Sequence, residues 1–366
     1  MNPLVELHAY GQSFWYDNIR RKFLQDGTLK NLIDNDGLRG MTSNPAIFEK
    51  AINGSDDYDA QMKALVDDGV TDAPAIYEAL AIADIQAACD LFADLYELSN
   101  GGDGFVSLEV SPYLARDTEG TVAEAKRLFT AVNRPNLMIK VPATPEGIPA
   151  VRALIGVGIN INITLMFSMA HYEAVAQAYM DGLKQLLANG GDPGKVASVA
   201  SFFVSRVDTA VDKKLSVLDD PAAKALMGKI AIANSKIVYQ RFKALFHGVE
   251  FAELQAAGAA RQRLLWASTS TKNPNYPDTL YIDELIGQET VNTIPPHTVD
   301  AFRNHGQIGN TLESDVEKAH LTINNLAELQ IDLNEVTEKL QNDGVDAFAK
   351  SFDTLLQAIK AKRDQL

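Results

Sequence analysis

The sequence predicts an α/β protein: a closed (β/α)8 TIM barrel with helical insertions and a C-terminal helical extension. Three observations lead there. Short apolar strands alternate with amphipathic helices through most of the chain, the pattern of a parallel sheet wrapped in helices. Eight such strands can be counted, and 366 residues suit one large barrel with additions. Polar residues recur late in these strands, the end at which barrels do their chemistry.

In order, the strands are expected near 12–17, 38–42, 104–110, 136–141, 159–165, 196–203, 263–268 and 290–294. A long helical insertion separates strands two and three, with SDDYDAQMKALVDDG followed by TDAPAIYEALAIADIQAACDLFADLYEL. A second helical block spans 219–260, and PPHTVDAFRNHG forms a short helix after strand eight. The barrel is assigned to 1–310 and the extension, packed on it, to 311–366, helical with stop signals at Leu333-Asn334 and at Gly344. No internal repeat or low-complexity tract interrupts the pattern.

Composition narrows the function. A hydrophobic content of 46% supplies a core, and no apolar run reaches the length of a membrane span. The N-terminal residues show no signal-peptide pattern, so the cytoplasm is the expected location. The one cysteine, Cys89, lies in a helical stretch and forms neither a disulfide framework nor a thiolate metal site. A net charge of −15 disfavours nucleic acid, whose binding draws on Lys and Arg, but permits small phosphorylated ligands if cations gather in one cleft. The six histidines show no HxH or HExxH spacing, and no GxGxxG or P-loop joins a strand to a helix. Neither metal nor cofactor is therefore expected. A monomer and a homodimer are equally compatible with the apolar helix stripes.

The focus of the chain is Leu137-Met138-Ile139-Lys140-Val141-Pro142. Lys140 is a cation inside an apolar strand, where an unpaired ammonium is costly or loses its proton. In water at pH 7 only about one lysine in 2000 is neutral and nucleophilic. A desolvated lysine at a strand mouth is thus an imine-forming candidate; the other reading is a lysine that snorkels to solvent.

Side chains two apart share a face of a strand. That rule separates the apolar sets Val106/Leu108/Val110, Leu137/Ile139/Val141 and Ile161/Ile163/Leu165 from polar residues on the opposite face. The polar sets place Asp17, Asn44, Glu109, Lys140, Asn162, Thr164 and Ser201 inside the barrel near its C-terminal mouth, with Phe203 on the face of Ser201. Glu109 and Lys140, on neighbouring strands, are natural partners. Taken singly, Asn44 could cap the helix that Pro45 opens, Asp17 could cap DNIRRKFLQ, and Thr164 and Ser201 could be satisfied strand hydroxyls.

With these residues in place the chain resembles the transaldolase family. Gly40-Met41-Thr42-Ser43-Asn44-Pro45-Ala46-Ile47-Phe48 is similar to one family signature, and Leu137 to Gly147 to the second, which carries the imine-forming lysine. The resemblance covers the barrel and, in a longer bacterial subgroup, the helical tail. It implies transfer of a dihydroxyacetone unit between sugar phosphates in the non-oxidative pentose phosphate pathway. Lys140 would attack the ketose carbonyl and Asp17 serve as acid/base for cleavage, while Glu109 and Thr164 hold a water for proton transfer. Asn44, Asn162 and Ser201 would bind substrate hydroxyls, and Arg206 a phosphate. After strand seven the arginine that shorter family members carry close behind a serine is missing. Ser268 remains, and Lys272, two residues beyond that slot, is the nearest cation. A related imine-forming aldolase, which releases dihydroxyacetone to water, and a catalytically silent scaffold are the competing readings.

Overall fold

The computed structural model describes residues 2–366. Its eight strands are β1 (Gln12–Asp17), β2 (Leu38–Thr42), β3 (Phe105–Glu109), β4 (Leu137–Pro142), β5 (Ile161–Met166), β6 (Ser198–Phe203), β7 (Arg263–Ala267) and β8 (Thr290–Ile294). Every neighbouring pair is parallel, and β8 closes on β1. The (β/α)8 barrel expected from the sequence is the fold observed.

Local chemistry sets the helix starts. Asn44 accepts a hydrogen bond from the Ile47 amide at 3.0 Å and opens the helix Pro45–Asn53, whose first residue needs no donor because it is proline. Asp72 does the same for Ala73–Leu91. After β4 the helix begins at Gly147, whose amide donates to the Thr144 hydroxyl at 3.0 Å. Asp17 caps nothing: the following helix is only Arg21–Gln25.

The floor of the barrel is stitched by charge. Asp103 accepts from Arg39 at 2.6 Å, from Ser13 at 2.9 Å and from Arg263 at 3.0 Å, tying β1, β2 and β7 to the turn before β3. Burial alone would raise the Asp103 carboxyl, but the Arg263 and Arg39 guanidiniums outweigh it and hold the group below its usual range. One layer up, the Trp15 ring fills the interior; a Cβ on Gly40 would sit 2.5 Å from it, so glycine is required there.

The tail departs from expectation at both expected stops: Leu333-Asn334 open the final helix instead of ending one, and Gly344 interrupts nothing. The helix Val316–Glu328 lies against Ile230–Phe246, and the chain then breaks over 329–332. The final helix, Leu333–Arg363, runs unbroken through Gly344, where a stop was expected. Gly344 serves close approach instead: a Cβ there would lie 2.8 Å from Leu165 at the end of β5. One turn earlier, Gln341 donates to the carbonyls of Ala143 and Leu165 at 2.9 and 3.0 Å. Both carbonyls belong to the barrel mouth, so the final helix is seated on it.

Replacing Asp103 by alanine would leave two guanidiniums facing each other with no carboxylate. Thermal or denaturant unfolding should register a loss of about 3–5 kcal/mol. Turnover below the melting temperature should stay near wild type, because the network sits at the end of the barrel opposite the cleft.

Candidate active site

Register brings the two central charges together. Glu109 of β3 pairs with Lys140 of β4, and Lys140 with Asn162 of β5. Lys140 is only 6% exposed. Its Nζ donates to the Ser43 carbonyl at 3.2 Å and to Glu109 Oε2 at 3.5 Å, so it points into the barrel and does not snorkel outward. Ser43 belongs to the turn after β2 and is fixed by donating from its hydroxyl to the Ser107 carbonyl at 2.8 Å.

Asp17, at the end of β1, accepts from the Thr42 hydroxyl at 2.7 Å, and Thr42 in turn shares a 2.6 Å hydrogen bond with Thr293 of β8. On the other side, Ser201 donates to Asn162 at 2.6 Å and Asn162 donates to Ser107 at 3.0 Å. The Thr164 hydroxyl is buried with no protein partner. A buried hydroxyl left open in this way suits a water or a substrate atom.

These groups surround a cleft of about 630 Å³ at the C-terminal mouth. Asp17, Asn44, Lys140, Thr164, Ser201, Phe203, Arg206, Ser268 and Lys272 all line it. Two expected members stand one step back. Asn162 has its amide engaged by Ser107 and Ser201. Glu109 lies beside Lys140 but opens on a smaller cavity of about 210 Å³ behind it, between β3, the helix Ala73–Leu91 and the final helix. Asn44 both caps its helix and faces the cleft, so the capping role and the site role coincide.

The cleft concentrates cations in an acidic protein. Arg206 stacks its guanidinium 4.9 Å from the Phe203 ring. Lys272 reaches the same cleft and donates to Ser270 at 2.7 Å; Arg20 and Lys50 line the rim. Burial lowers the proton affinity of Arg206, opposed by Asp17 and Glu109. Lys272 is likewise lowered, first by burial and then by Arg206. Neighbouring cations that both resist protonation gain from an anion between them. Ser268 holds a left-handed backbone, φ +56°, which turns the chain so that Ser270 and Lys272 face inward. Leu165, at φ +60°, marks the other strained strand end at the mouth.

The acids are tuned in the opposite sense to Asp103. Burial raises Glu109 above the ordinary carboxyl range despite Lys140 beside it. Asp17 is raised too, burial outweighing Lys140, the Thr42 hydrogen bond, Arg206 and Lys272, although part of it borders the open cleft.

Sequence reasoning passed over Thr42, Thr293, Ser270, Lys50 and Phe348, all of which line the cleft. Thr42 and Thr293 were within reach of the strand alternation that found Asp17. Phe348 was not, because its position depends on how the final helix docks. Among the described residues no three His, Cys, Asp or Glu side chains are arranged to hold a metal ion, and no helix is long and apolar enough to cross a membrane.

A buried lysine beside two proton-hungry carboxyls, at the carboxyl ends of barrel strands, belongs to the class of (β/α)8-barrel enzymes. Comparison with known proteins narrows the class. Residues 14–359 match the family described as Transaldolase/Fructose-6-phosphate aldolase. The chain is 47% identical over 378 residues to the transaldolase of Trichodesmium erythraeum, spanning 100% of this chain and 98% of that one. It is 48% identical over 372 residues to transaldolase 2 of Nostoc punctiforme, spanning 99% and 97%. With the transaldolase of Thiobacillus denitrificans the identity is 47% over 359 residues, spanning 98% and 100%. The chain belongs to the transaldolase/fructose-6-phosphate aldolase family.

The tuning of Asp17 has a sign that can be measured. Its folded pKa lies above the unfolded value of about 3.9. Its favourable contribution is therefore complete below that unfolded value and is lost as pH rises through the folded one. Asp17→Asn keeps an acceptor for Thr42 but cannot ionise. At pH 8 it should melt higher than wild type, because the variant escapes the burial of a charge that Asp17 carries once ionised. Near pH 4 the two curves should converge; a lower melting point for the variant at pH 8 would contradict the assignment.

Proposed function

We propose that the protein transfers a dihydroxyacetone unit from a ketose phosphate to an aldose phosphate through an imine on Lys140. The donors would be sedoheptulose 7-phosphate or fructose 6-phosphate, and the acceptors glyceraldehyde 3-phosphate or erythrose 4-phosphate. That the chain is a transaldolase, hence a transferase, follows from its family and its full-length relatives. The finer chemistry is supported chiefly by one observation: the buried Lys140 Nζ, 3.5 Å from Glu109, at the base of a cleft that also holds Asp17 and Arg206.

In this reading the Lys140 amine attacks C2 of the open-chain ketose. Glu109, with its raised affinity for protons, takes the proton the amine gives up and returns it to the departing hydroxyl, so that water leaves. The unpartnered Thr164 hydroxyl is suited to holding that water. Asp17 then removes the C4 hydroxyl proton, and the C3–C4 bonding electrons flow into the protonated imine to leave an enamine. The first aldose departs. The acceptor aldehyde is attacked by the enamine carbon, Asp17 gives its proton to the new hydroxyl, and water hydrolyses the imine. Thr42 and Thr293 hold Asp17 in place. Asn44 and Ser201 bind sugar hydroxyls, with Asn162 orienting Ser201. Arg206 and Lys272, helped by Ser268 and with Phe203 backing the arginine, bind phosphate in the slot where the family arginine is missing. The cytoplasm and the non-oxidative pentose phosphate pathway are the setting such a reaction fits.

The family description also names an aldolase, which would release dihydroxyacetone to water. Turnover of fructose 6-phosphate with and without erythrose 4-phosphate separates the two: a transferase needs the acceptor, an aldolase does not. Lys140→Ala should abolish transfer while the chain still folds cooperatively; normal turnover by that variant would refute the mechanism. Arg206→Ala should raise KM for fructose 6-phosphate at least tenfold, about 1.4 kcal/mol, while barely changing it for unphosphorylated fructose. Equal changes for both would remove Arg206 from the phosphate site.

A further inference from the structure

We infer that Phe348, on the final helix, is a specificity-determining residue that keeps the reaction a transfer rather than a hydrolytic release. The inference rests on the imine reading above. The Phe348 ring lies 5.5 Å from Lys140 Nζ and 6.0 Å from the Arg206 guanidinium, and it lines the cleft. No barrel strand or loop supplies it. It arrives because Gln341 clamps the helix to two mouth carbonyls and Gly344 lets the backbone close on Leu165. Residues 341, 344 and 348 follow helical spacing and share one face.

After C3–C4 cleavage the three-carbon unit waits on Lys140 as an enamine, which must meet an aldehyde before it meets a proton from water. A ring with no exchangeable proton above the nitrogen shields that side from bulk water, apart from the water held at Thr164, and its face favours the cationic imine. If water reaches the enamine, it gives its proton to C3. Water then adds to C2 and the C–N bond breaks. Free dihydroxyacetone leaves with the water's oxygen on C2, and Lys140 recovers its amine. The acceptor aldose goes unused.

Phe352, one turn further along, makes an internal control. It packs edge-on against Tyr77 at 5.5 Å and Tyr113 at 5.7 Å and lines the rear cavity, not the cleft. Its side chain is absent from the cleft lining, so truncating it removes nothing that covers Lys140.

The test is the ratio of free dihydroxyacetone released to dihydroxyacetone transferred, measured with fructose 6-phosphate and erythrose 4-phosphate. Phe348→Ala should raise this ratio about tenfold, Phe348→Leu by less, and Phe352→Ala should leave it at the wild-type value. An unchanged ratio in Phe348→Ala, or an equal rise in Phe352→Ala, would overturn the inference. Should Phe348→Ala fail to fold, Phe348→Leu decides it: no rise there also overturns it. Lys140→Ala run in parallel keeps the two readings apart, since residual turnover by that variant faults the imine and not the cover.

Discussion

The pairing of Glu109 with Lys140 across adjacent strands is the constraint on which the rest of the site depends. Two opposite charges sit almost out of water, which as a structural device adds little, because desolvation offsets most of their attraction. In the proposed reaction the arrangement has a use: a carboxyl that holds protons readily lies beside the amine that would attack the sugar. The Ser43 carbonyl fixes the amine, and the turn carrying Ser43 is fixed in its turn by Ser107 of β3. Moving β3 or β4 by one residue would turn its member of the pair to the helix side.

The two ends of the barrel treat buried acid in opposite ways. At the floor, two guanidiniums saturate Asp103 and hold its proton off, so the group serves stability. At the mouth, Asp17 and Glu109 stay under-compensated and rise. The cations there are turned partly toward the open cleft, where a phosphate can take up their charge. This matches the division in barrels between a stabilising bottom and a reactive top. It also gives a protein of net charge −15 one cleft in which Arg206 and Lys272 gather.

The strand alternation carried most of the information available before the fold was seen. A period of two, applied to SFWYD, FVSLEV, LMIKV and INITL, placed Asp17, Glu109, Lys140 and Thr164 on the interior face, because barrel geometry leaves a strand residue only two directions. Helix faces gave less. Gly344 read as a stop because glycine weakens helices, yet it is retained where Leu165 leaves no room for a Cβ. Phe348 carried no signal, since an aromatic on an amphipathic helix looks the same whether it meets core or cleft. Nor could spacing show that Glu109 opens on the rear cavity and that Asn162 spends its amide on Ser107 and Ser201. Those facts arise only once eight strands close.

The most direct measurement is chemical trapping in the full chain. The protein would be reduced with borohydride in the presence of fructose 6-phosphate and then mapped by peptide mass spectrometry. The account predicts a single reduced three-carbon adduct, on the peptide containing Lys140 and dependent on the sugar. An adduct on Lys50 or Lys272 instead, or none on any lysine while transfer proceeds normally, would contradict it.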